Sequence, residues 1–382
     1  MALGVIGTGL IQQKKHQPKY KIIGFKDEVT AEESGGILAN HGIKIKKHLP
    51  LANACLCLVD ERSTGFKSLT VDDNIEFIED DYVAEIQVLP STTESLNIKL
   101  QSIPWGVSKI EAPNVWRRSQ GEGIKVGIID TGINREHPDL KANIKDARCV
   151  IDSFKADDDN GHGTHVAGTI AALDNDIGVV GVAPRADIYS VKAFDNKGRG
   201  RVSDIIDALN WCVKNKVHVI NMSFGFSMNS RALERAIRTA HKHNIIIVAA
   251  AGNSGGDDSV VYPAKYPEVI AVAASDNKDN AADFSSRGPE VNIIAPGVNI
   301  SSTYINQDYK LLSGTSMACP HVAGACALLM SISGTNPYAV RKIILSTAKD
   351  IGLPEETQGV GLVNVAAAVS NIKKAKGGFF NE

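Results

Sequence analysis

From Ile124 onward the chain alternates short, almost unbroken apolar runs with amphipathic stretches, and this alternation narrows the possible folds more than any other feature. Ile124-Lys-Val-Gly-Ile-Ile129 ends directly at Asp130. Four more runs rich in β-branched residues follow at 187–194, 217–223, 244–250 and 269–274. Strands with no polar face are buried on both sides, as in a parallel sheet. Helical patterns lie between them. Ser203 is placed to cap 204–216, where Ile206, Leu209 and Val213 recur at helical spacing. Ser230 is placed to cap 231–243, with Leu233, Ala236, Ile237 and Ala240 turned inward. The pattern predicts an α/β domain built on a doubly wound, mostly parallel sheet, with its chemistry at the carboxyl ends of strands. Asp130 and Asn253 both directly follow such runs.

The first hundred residues read differently. Strands are expected at 20–25 and 54–59, a helix at 30–41, a turn or short helix at 68–73, and a terminal strand over 75–84. That is a small α+β unit spanning 19–85. The stretch 86–100 contains Pro90 and a polar Ser-Thr-Thr, has weak periodicity, and reads as a linker; 101–382 forms the main domain and 1–18 a separate N-terminal segment. Met1–Ile11 is apolar, but no basic stretch precedes it and Gln12-Gln-Lys-Lys-His16 is no small-residue cleavage site, so it does not read as a secretory signal. Gly4-x-x-Gly7-x-Gly9 has reversed spacing and no strand ahead of it, which removes a dinucleotide loop.

Charge and composition exclude several classes. A net charge of −2 over 382 residues gives no footprint for nucleic acid and no polybasic membrane anchor. No unbroken run of eighteen or more apolar residues suggests a membrane span. The six cysteines (55, 57, 149, 212, 319, 326) show no framework spacing, and Cys212 and Cys326 fall on apolar helix faces, so buried free thiols are expected.

Three segments carry chemistry. Asp130-Thr-Gly132 closes the first apolar run, Asn160-Gly-His-Gly-Thr-His-Val-Ala-Gly168 offers His162 and His165, and Gly314-Thr-Ser-Met-Ala-Cys-Pro-His321 puts Ser316 at the start of a helical pattern. A carboxylate, an imidazole and a hydroxyl in the order Asp, His, Ser match one of the three known chain orders of a nucleophilic triad. A serine hydroxyl needs a neighbour to take its proton, and an imidazole titrating near ~6.5 can take it and return it. Taken singly, each residue has a plainer reading: Ser316 as a helix cap, Asn253 as a turn residue, the two histidines as a metal pair. The metal pair lacks an H-E-x-x-H pattern or a nearby cysteine ligand. Asp-Thr-Gly also suits an aspartic protease, which would need a second copy that this chain lacks. The esterase elbow G-x-S-x-G fails at Ala318.

With all three segments present, residues 101–371 resemble the subtilisin family of serine endopeptidases, and 19–85 more weakly resemble that family's inhibitory propeptide. The resemblance implies an α/β subtilisin-like fold preceded by a ferredoxin-like propeptide, with Asp130, His162 and Ser316 as the triad, His165 as a structural residue and Asn253 as the oxyanion donor. It implies a substrate groove walled by Ser223-Phe224-Gly225 and by Ala250 to Gly252 on either side of the pocket for the residue before the scissile bond (S1), with Gly198 and Gly200 along the far edge. Arg199 and Phe224 depart from the family pattern and are expected to tune preference. One structural Ca²⁺ is implied at Gln101, Asp139 and Asn175 with the carbonyls of Leu173, Ile177 and Val179, a hard-oxygen set suited to that ion. Asp157-Asp158-Asp159 reads as a solvated acidic loop rather than a second, weaker ion site. Expected partners are protein or peptide substrates and the chain's own propeptide, with no nucleic acid and no membrane. The mature enzyme is expected to be a monomer, extracellular by resemblance, with a cytoplasmic site as the alternative. A non-catalytic peptide binder and an esterase or transpeptidase on the same fold are the competing readings.

Overall fold

A computed structural model describes residues 18–86, 89, 96, 98, 100–151, 155–334 and 336–377. The apolar N-terminal segment up to residue 17 and most of the 87–99 linker lie outside the described residues. The chain forms two compact units, one from residues 1–48 with 54–80 and the other from 49–53 with 81–382.

The first unit runs β1 (Lys19–Phe25), α1 (Ala31–Asn40), β2 (Ile45–Leu49), β3 (Ala54–Val59), α2 (Thr64–Leu69), β4 (Ile75–Asp80), with sheet order β2-β3-β1-β4. This strand–helix–strand–strand–helix–strand order is the ferredoxin-like arrangement. Thr30 and Glu33 close a reciprocal capping box on α1. Ile23, Phe25, Leu38, Cys55, Cys57 and Leu69 form the core. Two sequence expectations shift. The short helix lies at 64–69 rather than 68–73, because Ser63 accepts from the Phe66 N–H and starts it earlier. The run 75–84 breaks after Asp80. Strand β2 escaped notice because Lys46 and Lys47 hide its period; it is an edge strand, where lysines guard against further pairing.

The second unit holds β5 (Val83–Glu85), α3 (Trp105–Lys109), β6 (Lys125–Asp130), β7 (Ile144–Cys149), α4 (His162–Ala171), β8 (Asp187–Lys192), β9 (Arg199–Arg201), α5 (Val202–Lys214), β10 (Val219–Met222), α6 (Arg231–Lys242), β11 (Ile246–Ala250), β12 (Val269–Ser275), β13 (Ile293–Pro296), β14 (Ile300–Thr303), β15 (Tyr309–Leu312), α7 (Thr315–Ser333), α8 (Pro337–Ser346), α9 (Glu355–Gln358) and α10 (Val365–Gly377). Seven strands form a parallel sheet in the order β13-β12-β11-β10-β6-β8-β7. From β6 the chain crosses to the edge strand β7, comes back to β8 beside β6, and then passes to the other side to build β10 to β13. The carboxyl end of β6 is therefore the topological switch point, where open α/β sheets place their sites. Asp130 sits there. Helix α7 is long and apolar enough for a membrane span by length and composition, with a mean hydropathy of 1.4 over 315–332, yet 89% of that window is buried inside the unit. All six cysteines are free; Cys149 is half-buried and the other five are buried.

Helix α5 corrects a boundary. It starts at Val202, and Ser203 lies inside its first turn instead of capping it. The cap comes from elsewhere in the unit: Asp81 Oδ1 accepts from the Ser203 N–H at 2.9 Å and Asp81 Oδ2 from its hydroxyl at 2.9 Å. A carboxylate distant in sequence thus does the work expected of the local serine.

Candidate active site

The three candidate triad residues come from the ends of a strand and two helices. Asp130 ends β6, and Gly132 takes φ +107° to turn the chain away from the sheet. His162 opens α4 and Ser316 is the second residue of α7. His162 Nδ1 donates to Asp130 Oδ1 at 2.8 Å, and the Thr131 N–H donates to the same oxygen at 2.7 Å. With Nδ1 holding the proton, Nε2 carries the lone pair. That Nε2 is buried and has no hydrogen-bond partner. Ser316 Oγ instead donates to the Ser223 carbonyl at 2.9 Å, and Ser223 Oγ returns a bond to the Ser316 carbonyl at 2.9 Å. Base and nucleophile are thus adjacent in role but not bonded to each other, as is common in free enzymes.

Two residues overlooked in the sequence hold this geometry. Asp158 accepts from the Thr131 hydroxyl (2.8 Å), the Gly161 N–H (2.9 Å) and the Thr164 N–H (2.9 Å), and so ties the exit of β6 to the start of α4. The Asp157–Asp159 loop is solvated on its outer side, but all three carboxylates have partners. Asp157 pairs with Arg135 at 2.8 Å, and Asp159 receives the buried Lys192 ammonium at 2.6 Å. The second is Thr315, whose N–H and hydroxyl both donate to Asn253 Oδ1, at 2.9 and 2.8 Å. Anchoring the amide through its oxygen fixes the direction of its NH₂ end. A Cβ on Gly163 would collide with the Gly132 carbonyl and lie 3.1 Å from Asp130 Cβ, so only glycine fits there.

The other histidines are structural. His165 is fully buried; its Nε2 donates to the carbonyls of Ile300 (3.0 Å) and Lys310 (3.2 Å), and burial pushes its pKa down to about 3. His321 donates from Nδ1 to the Met317 carbonyl at 2.8 Å, and burial lowers its pKa to about 4.

The candidate groove is already lined with chain. Strand β5 pairs antiparallel with β9, with Ala84 opposite Gly200 and Glu85 opposite Arg199. On its other side Glu85 exchanges bonds with Gly225: N–H to carbonyl at 3.3 Å and carbonyl from N–H at 3.2 Å. The Ile86 N–H donates to the Gly198 carbonyl at 2.9 Å. Ala250 ends β11 and Gly252 follows at φ +119°. Phe224 is 1% exposed with residues 83–86 in place, and its ring packs 4.7 Å from that of Phe194. Arg199 is exposed and pairs with Asp195 at 3.5 Å.

The candidate cation residues also meet in one place. Asp139 Oδ2 accepts from the Val179 N–H (2.9 Å) and the Tyr309 hydroxyl (3.1 Å), while Oδ1 is buried with no partner. Burial raises its pKa to about 6. Gln101 Oε1 accepts from the N–H groups of Asn175 (3.0 Å) and Asp176 (2.6 Å), and Asn175 Oδ1 from that of Ile177 (3.3 Å). Leu173 N–H donates to the Asp139 carbonyl at 2.8 Å. Among the described residues no three His, Cys, Asp or Glu side chains cluster as ligands. A site here would rest on one carboxylate, two amides and main-chain carbonyls, and the orphaned anionic oxygen fits a hard cation.

Residues 121–362 match the Subtilase family. Subtilisin E of Bacillus subtilis (strain 168) is 40% identical over 363 residues, covering 93% of this chain and 91% of that protein. Subtilisin BL of Lederbergia lenta is 47% identical over 274 residues, 70% of this chain and 99% of that protein. An alkaline protease of Alkalihalobacillus alcalophilus is 44% identical over 307 residues, 79% and 76% respectively. The chain belongs to the subtilase family and is a subtilisin-like serine endopeptidase.

Proposed function

We propose that Asp130, His162 and Ser316 are the catalytic triad, that Asn253 is the oxyanion donor, and that the protein is made as a self-cleaving zymogen. The contact between Asp130 Oδ1 and His162 Nδ1 at 2.8 Å, with the buried Nε2 left as a bare acceptor, carries the reading. The Ser316 hydroxyl swings from the Ser223 carbonyl to Nε2, gives up its proton there, and its oxygen attacks the scissile carbonyl carbon. Asp130 holds the ring in this tautomer and stabilises its cationic form. The tetrahedral oxyanion lies between the Asn253 amide N–H and the Ser316 main-chain N–H, an N-terminal helix donor without an intrahelical acceptor. On collapse the carbon–nitrogen bond breaks and the Nε2 proton goes to the departing amine. Water then repeats the sequence to free the acid and restore Ser316.

Substrate binds by strand addition between Gly198–Gly200 and Ser223–Gly225, which reads main chain more than side chains. Val83–Ile86 occupy that position here, which supports residues 19–85 as an intramolecular inhibitor cut off by the enzyme itself between Glu85 and Gln101. Gln101, Asp139 and Asn175 with the carbonyls of Leu173, Ile177 and Val179 would hold Ca²⁺. When bound, the ion supplies the positive charge that Asp139 lacks. These residues then join the segment at 101 to the 173–179 loop, away from the bond-breaking steps.

Fluorophosphonate labelling with N-terminal sequencing tests this. Wild type should label on Ser316, digest casein and begin between residues 86 and 101. Ser316→Ala should stay full length, fail to label and lose about 10⁶-fold in kcat, the loss subtilisins show without the nucleophile. Casein digestion within a few-fold of wild type would reject the triad, and identical clipping of Ser316→Ala expressed alone would reject self-cleavage.

A further inference from the structure

Pro320 lies inside α7, four residues after Ser316. In an α-helix the N–H of residue 320 would donate to the carbonyl of residue 316. Proline has no N–H, so the Ser316 carbonyl needs a partner from outside the helix. The exit of β10 supplies it: Ser223 Oγ donates to the Ser316 carbonyl at 2.9 Å. Behind Ser223 stands Asn221, fully buried in a strand whose other residues are Val219, Ile220 and Met222. Its Nδ2 donates to Ser223 Oγ at 2.9 Å, while its Oδ1 has no partner. A hydroxyl carries one proton. With an amide N–H on one of its lone pairs, Ser223 keeps that proton for the Ser316 carbonyl; the Cys319 sulfur beside it is a weak acceptor. A buried amide with an orphaned oxygen weakens a fold. A leucine of similar size would avoid that cost, which points to a use for the donor beyond packing.

We propose that Asn221 is a positioning residue for Ser316, acting through the Ser223 hydroxyl to hold the nucleophile's main chain in place of the helix bond that Pro320 removes. The proposal rests on Ser316 as nucleophile. Ser223 and Ser316 are joined twice, and the reaction treats the two bonds differently. Ser316 Oγ must leave the Ser223 carbonyl to reach His162. The bond from Ser223 Oγ to the Ser316 carbonyl stays available throughout. It restrains ψ of Ser316, and so keeps Cα and Cβ still while Oγ turns about χ1. Without the Asn221 donor the Ser223 hydroxyl is free to rotate and the tether on the carbonyl is lost part of the time. A misplacement of about 1 Å at reacting atoms costs about 100-fold in rate.

The test is a set of double-mutant cycles on a peptide p-nitroanilide that wild type cleaves, with active sites counted by fluorophosphonate labelling. Asn221→Leu and Ser223→Ala should each lower kcat by about 10- to 100-fold and leave KM within a few-fold. Ser223→Ala removes the same hydroxyl with a smaller change, which guards against a leucine variant that fails to fold. Added to Ser223→Ala, Asn221→Leu should cost nothing further, because it acts only through that hydroxyl. Pro320→Ala returns an N–H to position 320, and with it a helix partner for the Ser316 carbonyl. In that background both substitutions should cost less kcat than in the parent, by more than the roughly twofold scatter of independent sites. Losses equal in the two backgrounds within that scatter overturn the proposal. So does a loss carried by KM, or a kcat within about twofold of the parent in both variants. A wild type that neither cleaves peptide nor labels rejects the catalytic reading beneath it, and this inference falls with it.

Discussion

Asp130 and Asp139 are nine residues apart, both fully buried, and each keeps one carboxylate oxygen without a hydrogen-bond partner. Their surroundings differ. Asp130 faces an imidazole at 2.8 Å, a group that becomes a cation when it takes a proton. Asp139 faces a main-chain N–H and a tyrosine hydroxyl, both neutral, and burial raises its pKa to about 6. A buried anion beside a titratable base can answer a proton that arrives during the reaction. A buried anion among neutral donors needs its positive charge from outside. The same side chain at the same depth is thus equipped for two different jobs by its neighbours.

The largest expected effect breaks the comparison on the Asp130 side. Asp130→Asn should fold normally, leave KM within a few-fold and lower kcat by about 10⁴-fold, the size of loss seen in this enzyme class when the orienting carboxylate goes. An amide would hold the wrong tautomer and could not stabilise the imidazolium. A loss below tenfold would remove Asp130 from the mechanism.

The Asp139 side should respond in stability and leave the chemistry alone. If Ca²⁺ is held there, a hundredfold excess over Kd adds about 2.7 kcal/mol. Chelation should shorten the half-life of the active enzyme on heating and leave the initial rate in the cold unchanged. Asp139→Asn sharpens the point because its sign reverses. In chelator it should be at least as stable as the parent, since the amide removes an uncompensated buried charge and its oxygen still accepts from Val179 and Tyr309. With calcium it should be less stable and insensitive to the ion. Immediate loss of turnover in cold EDTA, with circular dichroism unchanged, would instead make the metal part of the reaction.

The smallest effect concerns the two buried histidines that the proposed mechanism does not use, which burial keeps neutral. His165 and His321 have folded pKa values lowered by burial to about 3 and about 4. The unfolded chain protonates them near ~6.5. Their contribution is therefore complete above that pH and is lost as pH falls from there toward 4. Urea unfolding of Ser316→Ala, which cannot digest itself, should lose about 1.4 kcal/mol per pH unit for each histidine across this window. His165→Asn should remove one histidine's share of the slope. An unchanged slope would mean that His165 is protonated in the fold.

Five strands of the large sheet were readable because burial on both faces leaves runs almost without polar residues, as at 126–129 and 246–250; the edge strands β7 and β13 were not, because Lys145, Asp146 and Arg148 interrupt the first and the second is only four residues long. The chemistry-bearing residues were readable because Asp-Thr-Gly, His-Gly-Thr-His and Gly-Thr-Ser-Met each sit at the end of an element. Asp158 was missed: three consecutive aspartates look like a solvated loop until the chain folds Thr131, Gly161 and Thr164 around the middle one. Ser203 was misread for the complementary reason. A serine ahead of a helical pattern signals a cap, but Asp81, more than a hundred residues earlier, supplies the stronger acceptor and shifts the helix start.

The sequence by itself determined the family, the parallel sheet and the residue types available for catalysis, because those depend on local periodicity and short fixed spacings. Only the tertiary structure decided which oxygen of which carboxylate has a partner, which histidine nitrogen is left bare, and that the Ser223 hydroxyl meets the Ser316 carbonyl. Those facts depend on segments tens to hundreds of residues apart meeting within about 3 Å, the range over which a hydrogen bond forms.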